Sequence, residues 1–162
     1  MNKKCIWILI LILLVLVGCK KESVENAILK PVNIEKLKSN LNEVFESKIG
    51  QNGVYLINTG DKKQYLFLNG SNTIQGDEAV YYENVRIEDD KNIANIYFDA
   101  LYTEDYKDKE LSNIQIYEIL TKDTTDTIGV YKNNEQIAFD TVIGIEWWIT
   151  IVVTGIQSLI SL

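Results

Sequence analysis

Between Gly50 and Phe139 this chain is cut by turn-forming residues into seven short apolar runs, none with a helical period. Val54-Tyr55-Leu56-Ile57 and Tyr65-Leu66-Phe67-Leu68 are aromatic and β-branched, the residue types that fit a pleated surface. Asn58-Thr59-Gly60-Asp61 between them reads as a hairpin turn, and Asn69-Gly70-Ser71-Asn72 closes the second run. In 79–88, Val85 and Ile87 alternate with Asn84, Arg86 and Glu88. Asp89-Asp90-Lys91-Asn92 then turns the chain into 93–102, where Ile96, Phe98 and Ala100 oppose Tyr97, Asp99 and Leu101. A charged loop, 104–110, leads to a run at 114–120. The runs 128–131 and 136–139 flank Asn133-Asn134, both tolerant of the left-handed backbone that a two-residue hairpin demands.

One helix is expected before these runs. Ile34, Leu37, Leu41, Val44 and Phe45 recur at three- and four-residue intervals. Asn33 can cap it, Glu35 favours its first turn, and Gly50 is placed to end it, giving a helix over about 34–48. The pattern therefore predicts an α+β fold: one N-terminal helix, then a mostly antiparallel β meander forming a small sandwich or a partly closed barrel. No strand–helix–strand alternation is present, so parallel pairing is not expected.

The N-terminus has the layout of a secretory signal peptide. Lys3 and Lys4 precede an uncharged run from Cys5 to Val17, and polar Lys20-Lys21-Glu22-Ser23 follows Cys19. That run is about 13 residues, roughly 20 Å as a helix, against the ~20 residues that cross a bilayer. Leu16-Val17-Gly18-Cys19 resembles a bacterial lipobox. The resemblance implies that residues 1–18 are removed and that Cys19 is lipidated as the first mature residue. Two or three buried acyl chains anchor stably, where one does not. Residues 19–32 would then be a lipidated tether, 33–142 the helix and antiparallel β domain, and 143–162 an apolar C-terminal tail.

Cleavage there also removes Cys5, so disulfide, thiolate and cysteine–metal chemistry are closed to the mature part. The sequence contains no histidine, which removes the commonest general base and the commonest zinc ligand. Dropping Lys3 and Lys4 from 16 basic residues leaves about 14 against 23 acidic ones, a net charge near −9. So acidic a chain repels phosphate backbones, which excludes nucleic acid as an expected partner. No nucleophile elbow or glycine-rich phosphate loop occurs. Asp99, Glu104, Asp105, Asp108 and Glu110 form the densest acidic patch, but they lack the tight glycine turn and regular spacing of a calcium loop. No metal or cofactor is expected.

Segment 50–142 resembles small uncharacterised lipoproteins of Gram-positive bacteria. The likeness is carried by Asn69-Gly70, Ile96-Tyr97-Phe98, Tyr117-Glu118-Ile119 and Phe139-Asp140-Thr141-Val142. Some such chains carry a peptidyl-prolyl isomerase label, and no motif here supports that activity. The remaining signal is nine tyrosines, mostly on or beside the runs. Tyr81, Tyr82, Tyr97 and Tyr117 are the expected members of an aromatic face for a peptide or glycan.

The functional expectation is a membrane-anchored extracytoplasmic lipoprotein, a non-enzymatic binding or accessory protein of the cell envelope. It would be held by N-terminal acyl chains and would meet an envelope protein, peptide or glycan. One alternative is an envelope enzyme acting on peptides or proteins, such as a prolyl isomerase. Another is a structural component that binds a membrane partner through its apolar tail. The tail, with Trp147-Trp148 and Glu146 as its one charge, is expected to be dispensable for folding.

Overall fold

The computed structural model describes residues 25–60, 63–105 and 112–145. The expected signal peptide, Cys19 and the rest of 19–24 at the start of the expected tether, Asp108, Glu110 and 146–162 lie outside them. The elements in order are β1 (Ile28–Pro31), a 3-10 turn (Ile34–Lys36), α1 (Ser39–Ile49), β2 (Gly53–Thr59) and β3 (Gln64–Asn69). Then come β4 (Ala79–Asp90), β5 (Ile93–Thr103), β6 (Ile114–Leu120), β7 (Thr127–Lys132), β8 (Glu135–Ile137) and β9 (Thr141–Ile145). Six of the seven expected runs are strands, the run 136–139 is strand only as far as Ile137, and α1 is the one α-helix among the described residues.

The helix is neither N-terminal nor continuous over 34–48. Strand β1 precedes it, and Val32 extends that pairing by donating to the Ile116 carbonyl (2.9 Å). Asn33 caps the 3-10 turn rather than α1, its side chain accepting from the Glu35 amide at 2.9 Å. Leu37 is then extended, at φ −79° and ψ 156°, which separates that turn from α1. Gly50 does end α1.

Two sheets form, and both are mixed. The first has the order β1-β6-β3-β2-β9, the second β4-β5-β7-β8. Two pairs are parallel, β2 with β9 and β5 with β7, against the expectation of sequential hairpins. Neither sheet closes: β1 and β9 are edges of one, β4 and β8 of the other. The fold also passes both expected domain limits. Residues 28–31, expected in the tether, pair with β6, and 143–145, expected in the tail, complete β9.

The apolar pattern arises from three layers. One face of β2 and β3 carries Val54, Leu56, Leu66 and Leu68, which meet Tyr82, Ile96 and Phe98 of the second sheet in the inter-sheet core. Their other face carries Tyr55, Ile57, Tyr65 and Phe67, covered by Leu41 and Phe45 of α1. A strand buried on both faces reads as an unbroken apolar run, which is why these two show no alternation. Phe45 sets its ring edge-on to Phe67 at 5.1 Å. The second sheet has a solvated outer face, so β5 alternates from Ile93 to Ala100.

One row of paired residues crosses the whole first sheet: Leu29, Ile119, Gln64, Asn58 and Gly144. Ile28 and Ile145 therefore stand at the same end of that sheet, on its two outer edges. Gly53, Asn69 and Ile114 mark the opposite end.

Candidate binding site

At the Gly53 end the two sheets part around a cavity of about 410 Å3. Val54, Val80, Phe98 and Ile137 form its apolar wall, and Tyr82, Tyr102, Lys132 and Asp140 supply the polar groups. Most arrive through a strand end, Phe98 from the middle of β5. Val80 and Tyr82 open β4, Tyr102 nearly closes β5, Lys132 closes β7, and Asp140 leads into β9.

The polar groups differ in how firmly they are held. Tyr82 is buried, sets its ring edge-on to Phe98 at 5.7 Å, and donates its hydroxyl proton to the Asn69 carbonyl at 3.0 Å. Burial pushes this phenol far up from its ordinary pKa, with smaller contributions from Tyr102, Asp140 and Tyr55, so it stays neutral. Asp140 clamps β2: its Oδ2 accepts from the Val54 amide at 2.7 Å, and its own amide donates to the Val54 carbonyl at 2.9 Å. Tyr102 is exposed at the rim. The Lys132 ammonium lies 3.4 Å from its hydroxyl and 6.0 Å from its ring centre. The site thus offers an apolar wall, a neutral phenol, a cation beside an aromatic ring, and an anchored carboxylate.

Behind the pocket, the fully buried Asn69 ties three elements together. Its Nδ2 lies 2.8 Å from the Lys48 carbonyl, 3.0 Å from that of Ile49 and 2.7 Å from that of Gln51, at and just beyond the end of α1, where the Gln51 amide, the Ser71 hydroxyl and the Tyr55 hydroxyl also donate to these three carbonyls in turn. Its Oδ1 accepts from the Ser71 amide at 3.1 Å. Gly70 comes next because β4 passes too close for a side chain: a Cβ there would sit 2.6 Å from the Val80 carbonyl oxygen. The Asn69-Gly70 pair is therefore a helix cap joined to a close sheet crossing.

The four tyrosines expected to share a face are divided. Tyr82 is in the inter-sheet core. Tyr117 is on β6 of the first sheet, packed against that core with its hydroxyl on Gln115 Oε1 at 2.7 Å, and burial raises its pKa. Tyr81 and Tyr97 do share the outer face of the second sheet, as partners of Leu101 and Arg86. Tyr97 there stacks on Tyr131, with ring centres 4.7 Å apart and planes 20° apart, and the Arg86 guanidinium lies 4.6 Å from the Tyr97 ring centre. Arg86 also pairs with Glu88 at 3.0 Å. This ladder is flat and largely satisfied by its own members. The pocket is concave and collects groups from both sheets, which makes it the better site.

Sequence reading missed Tyr102, Lys132, Asp140 and Tyr131 as site residues. The signal for Tyr131 was alternation with the inward Val130, one strand from Tyr97. The pocket residues carried no local signal, since they meet only when both sheets are assembled. Asp99 accepts from the Asn84 side-chain amide at 2.7 Å, and no group of acidic side chains suited to a metal ion occurs among the described residues. Nor is any helix among them long and apolar enough to cross a membrane. Compared with known proteins, the chain matches no family model, no curated sequence and no solved structure.

Proposed function

We propose that this chain is the precursor of a lipoprotein, held by acyl chains on Cys19 at the extracytoplasmic face of the cell membrane. Its folded part acts as a non-enzymatic binding or accessory module of the cell envelope. The anchored half of the reading is supported by the sequence: a basic start, an apolar run of signal-peptide length, and Leu16-Val17-Gly18-Cys19.

The binding half is carried by one observation, the pocket between the sheet ends. Its apolar wall can hold a hydrophobic group, while Lys132 and Asp140 can orient polar groups at either side. A peptide segment or glycan of the envelope has both features. Tyr102 and Lys132 together present a ring and a cation at the rim, an arrangement suited to a sugar face or a carboxylate.

The binding test is titration of the processed protein with envelope peptides and cell-wall glycan fragments, monitored by amide chemical shifts. Shifts should centre on residues 52–54, 80–82, 102 and 137–140. Lys132→Glu and Tyr102→Ala should each weaken binding about tenfold, near 1.4 kcal/mol, with the melting temperature unchanged. Binding indifferent to both substitutions would sink the pocket as the site. The anchor is tested separately. Cys19→Ser should abolish acyl labelling and leave an unprocessed precursor, and normal labelling of that variant would remove the anchored half.

A further inference from the structure

Strand β5 outruns its neighbour. It extends to Thr103, but its pairing with β7 ends where Phe98 meets Lys132. Just past that point the β7–β8 hairpin turns through Asn133 and Asn134, both at positive φ, 51° and 66°. Asn133 reaches back onto β5 and takes the place of a further strand residue. Its amide donates to the Phe98 carbonyl at 3.0 Å, its Oδ1 accepts from the Ala100 amide at 2.8 Å, and its Nδ2 donates to the Ala100 carbonyl at 3.3 Å. Alternate residues of a strand direct their backbone groups to the same side. Ala100 faces the β7 side, so Tyr102 does too, and no strand among the described residues pairs with Tyr102 there.

This open length of edge borders the pocket. Ile96, Phe98 and Ala100 face the inter-sheet core, and Tyr102, two residues on, lines the cavity with Val54, Val80, Phe98 and Ile137. A residue paired with Tyr102 projects its side chain from the same face of the sheet, toward that cavity. Beyond it an added chain has about one residue, ~3.4 Å, before it meets the Asn133 side chain opposite Ala100. The charge at that stop is positive. No ion pair to Lys132 occurs among the described residues, although Glu135 is its cross-strand partner. Its ammonium turns to the Tyr102 hydroxyl, 3.4 Å away. The carboxylate that lines the cavity, Asp140, is tied to β2 of the other sheet by the Val54 amide.

We infer that the site takes the C-terminal end of an extended peptide, added antiparallel to β5 at Tyr102, a ligand class that rests on the pocket being the binding site. The terminal carboxylate meets Lys132, and the apolar side chain of the last residue enters the cavity. Main-chain pairing with Tyr102 supplies affinity for an extended chain, and the apolar wall selects its last side chain. Asn133 rejects a chain that continues, because an internal segment would have to displace three hydrogen bonds to β5. A glycan offers no strand to pair with Tyr102.

The test compares two peptides of one sequence, ending in Ala-Ala-Leu, as free acid and as C-terminal amide, each carrying fluorescein at its N-terminus. The full chain is titrated into each, and fluorescence anisotropy is read. The free acid should bind about tenfold more tightly, the scale of one charge-assisted hydrogen bond. Lys132→Gln should bring that ratio close to one, and Lys132→Arg should keep most of it, a pattern that a packing role for the side chain would not produce. Bound free acid should also slow hydrogen exchange of the Tyr102 amide. Exchange as fast with the peptide as without it overturns the strand pairing. Equal affinity for acid and amide overturns the terminal-carboxylate inference, and sensitivity of that binding to Tyr102→Ala would still leave the pocket as a peptide site. Binding of neither peptide overturns the inference as well; amide shifts at the pocket on adding cell-wall glycan fragments to the same protein then decide whether the pocket itself survives as a binding site.

Discussion

The Tyr82 hydroxyl donates across the gap between the sheets to the backbone carbonyl of Asn69, at 3.0 Å, while the Asn69 side chain holds the end of α1. One residue thereby joins the pocket wall to the helix layer. Tyr82→Phe leaves a buried carbonyl without its partner and should cost about 1–3 kcal/mol. Asn69→Ala should cost a comparable amount, because it removes the buried side-chain amide shared by the Lys48, Ile49 and Gln51 carbonyls, each of which keeps one other donor. Urea denaturation of each variant measures both. Wild-type stability in either variant would show that solvent replaces these bonds freely.

Asp89 links stability to acid. The Ala27 amide holds its carboxyl below the usual carboxylate value, Lys122 helps, and burial opposes them. A carboxylate with a depressed folded pKa stabilises fully above its unfolded pKa, and that contribution is lost as pH falls through the lower folded value. Asp89→Asn should therefore lower the melting temperature at pH 7 and flatten its decline below about pH 4. Parallel curves for variant and wild type, displaced or not, would mean that Asp89 titrates alike in both states.

The last strand gives a sharper expectation than the composition of the tail. Ile143 and Ile145 pack against the helix-side cluster, and β9 covers the edge of β2 from Tyr55 to Thr59. A chain ending at 145 should melt within a few degrees of the full chain. A chain ending at 140 should lose a few kcal/mol, through two partly buried isoleucines, each worth less than the ~1.5–3 kcal/mol of a fully buried side chain, and a bared strand edge. Equal stability for the two truncations would make β9 an adornment.

Much of this architecture was legible, and what was not has physical causes. Unbroken apolar runs at 54–57 and 65–68 marked strands buried on both faces, although only α1 over β2 and β3 explains them. Strand β1 was hidden because it is short and ends in Pro31, which is tolerated on an edge strand where no ladder donor is required. Strand β9 was hidden because it runs straight into the apolar tail. Parallel and antiparallel strands share a two-residue period, so β5 beside β7 left no local trace. The tyrosine face failed on register. Adjacent Tyr81 and Tyr82 must point to opposite faces of β4, and the bulge between Glu83 and Arg86 changes which positions face inward, from Val80 and Tyr82 to Val85 and Ile87. Asn84, at φ 52°, sits in that bulge.

The strand order also bears on how the chain reaches its folded state. The five-stranded sheet cannot finish early: Ile28 must find Leu120, and Tyr55 must wait for Thr141. Pairings so distant along the chain close large loops before any contact rewards them, which places folding in the milliseconds-to-seconds class typical of β sandwiches. Until β9 arrives, β2 presents an open edge of Val54 to Thr59, a template for pairing with other chains. Crowding of incompletely synthesised or unfolded copies is thus the condition under which this protein should aggregate, and the order of strand arrival, more than the final stability, sets that hazard.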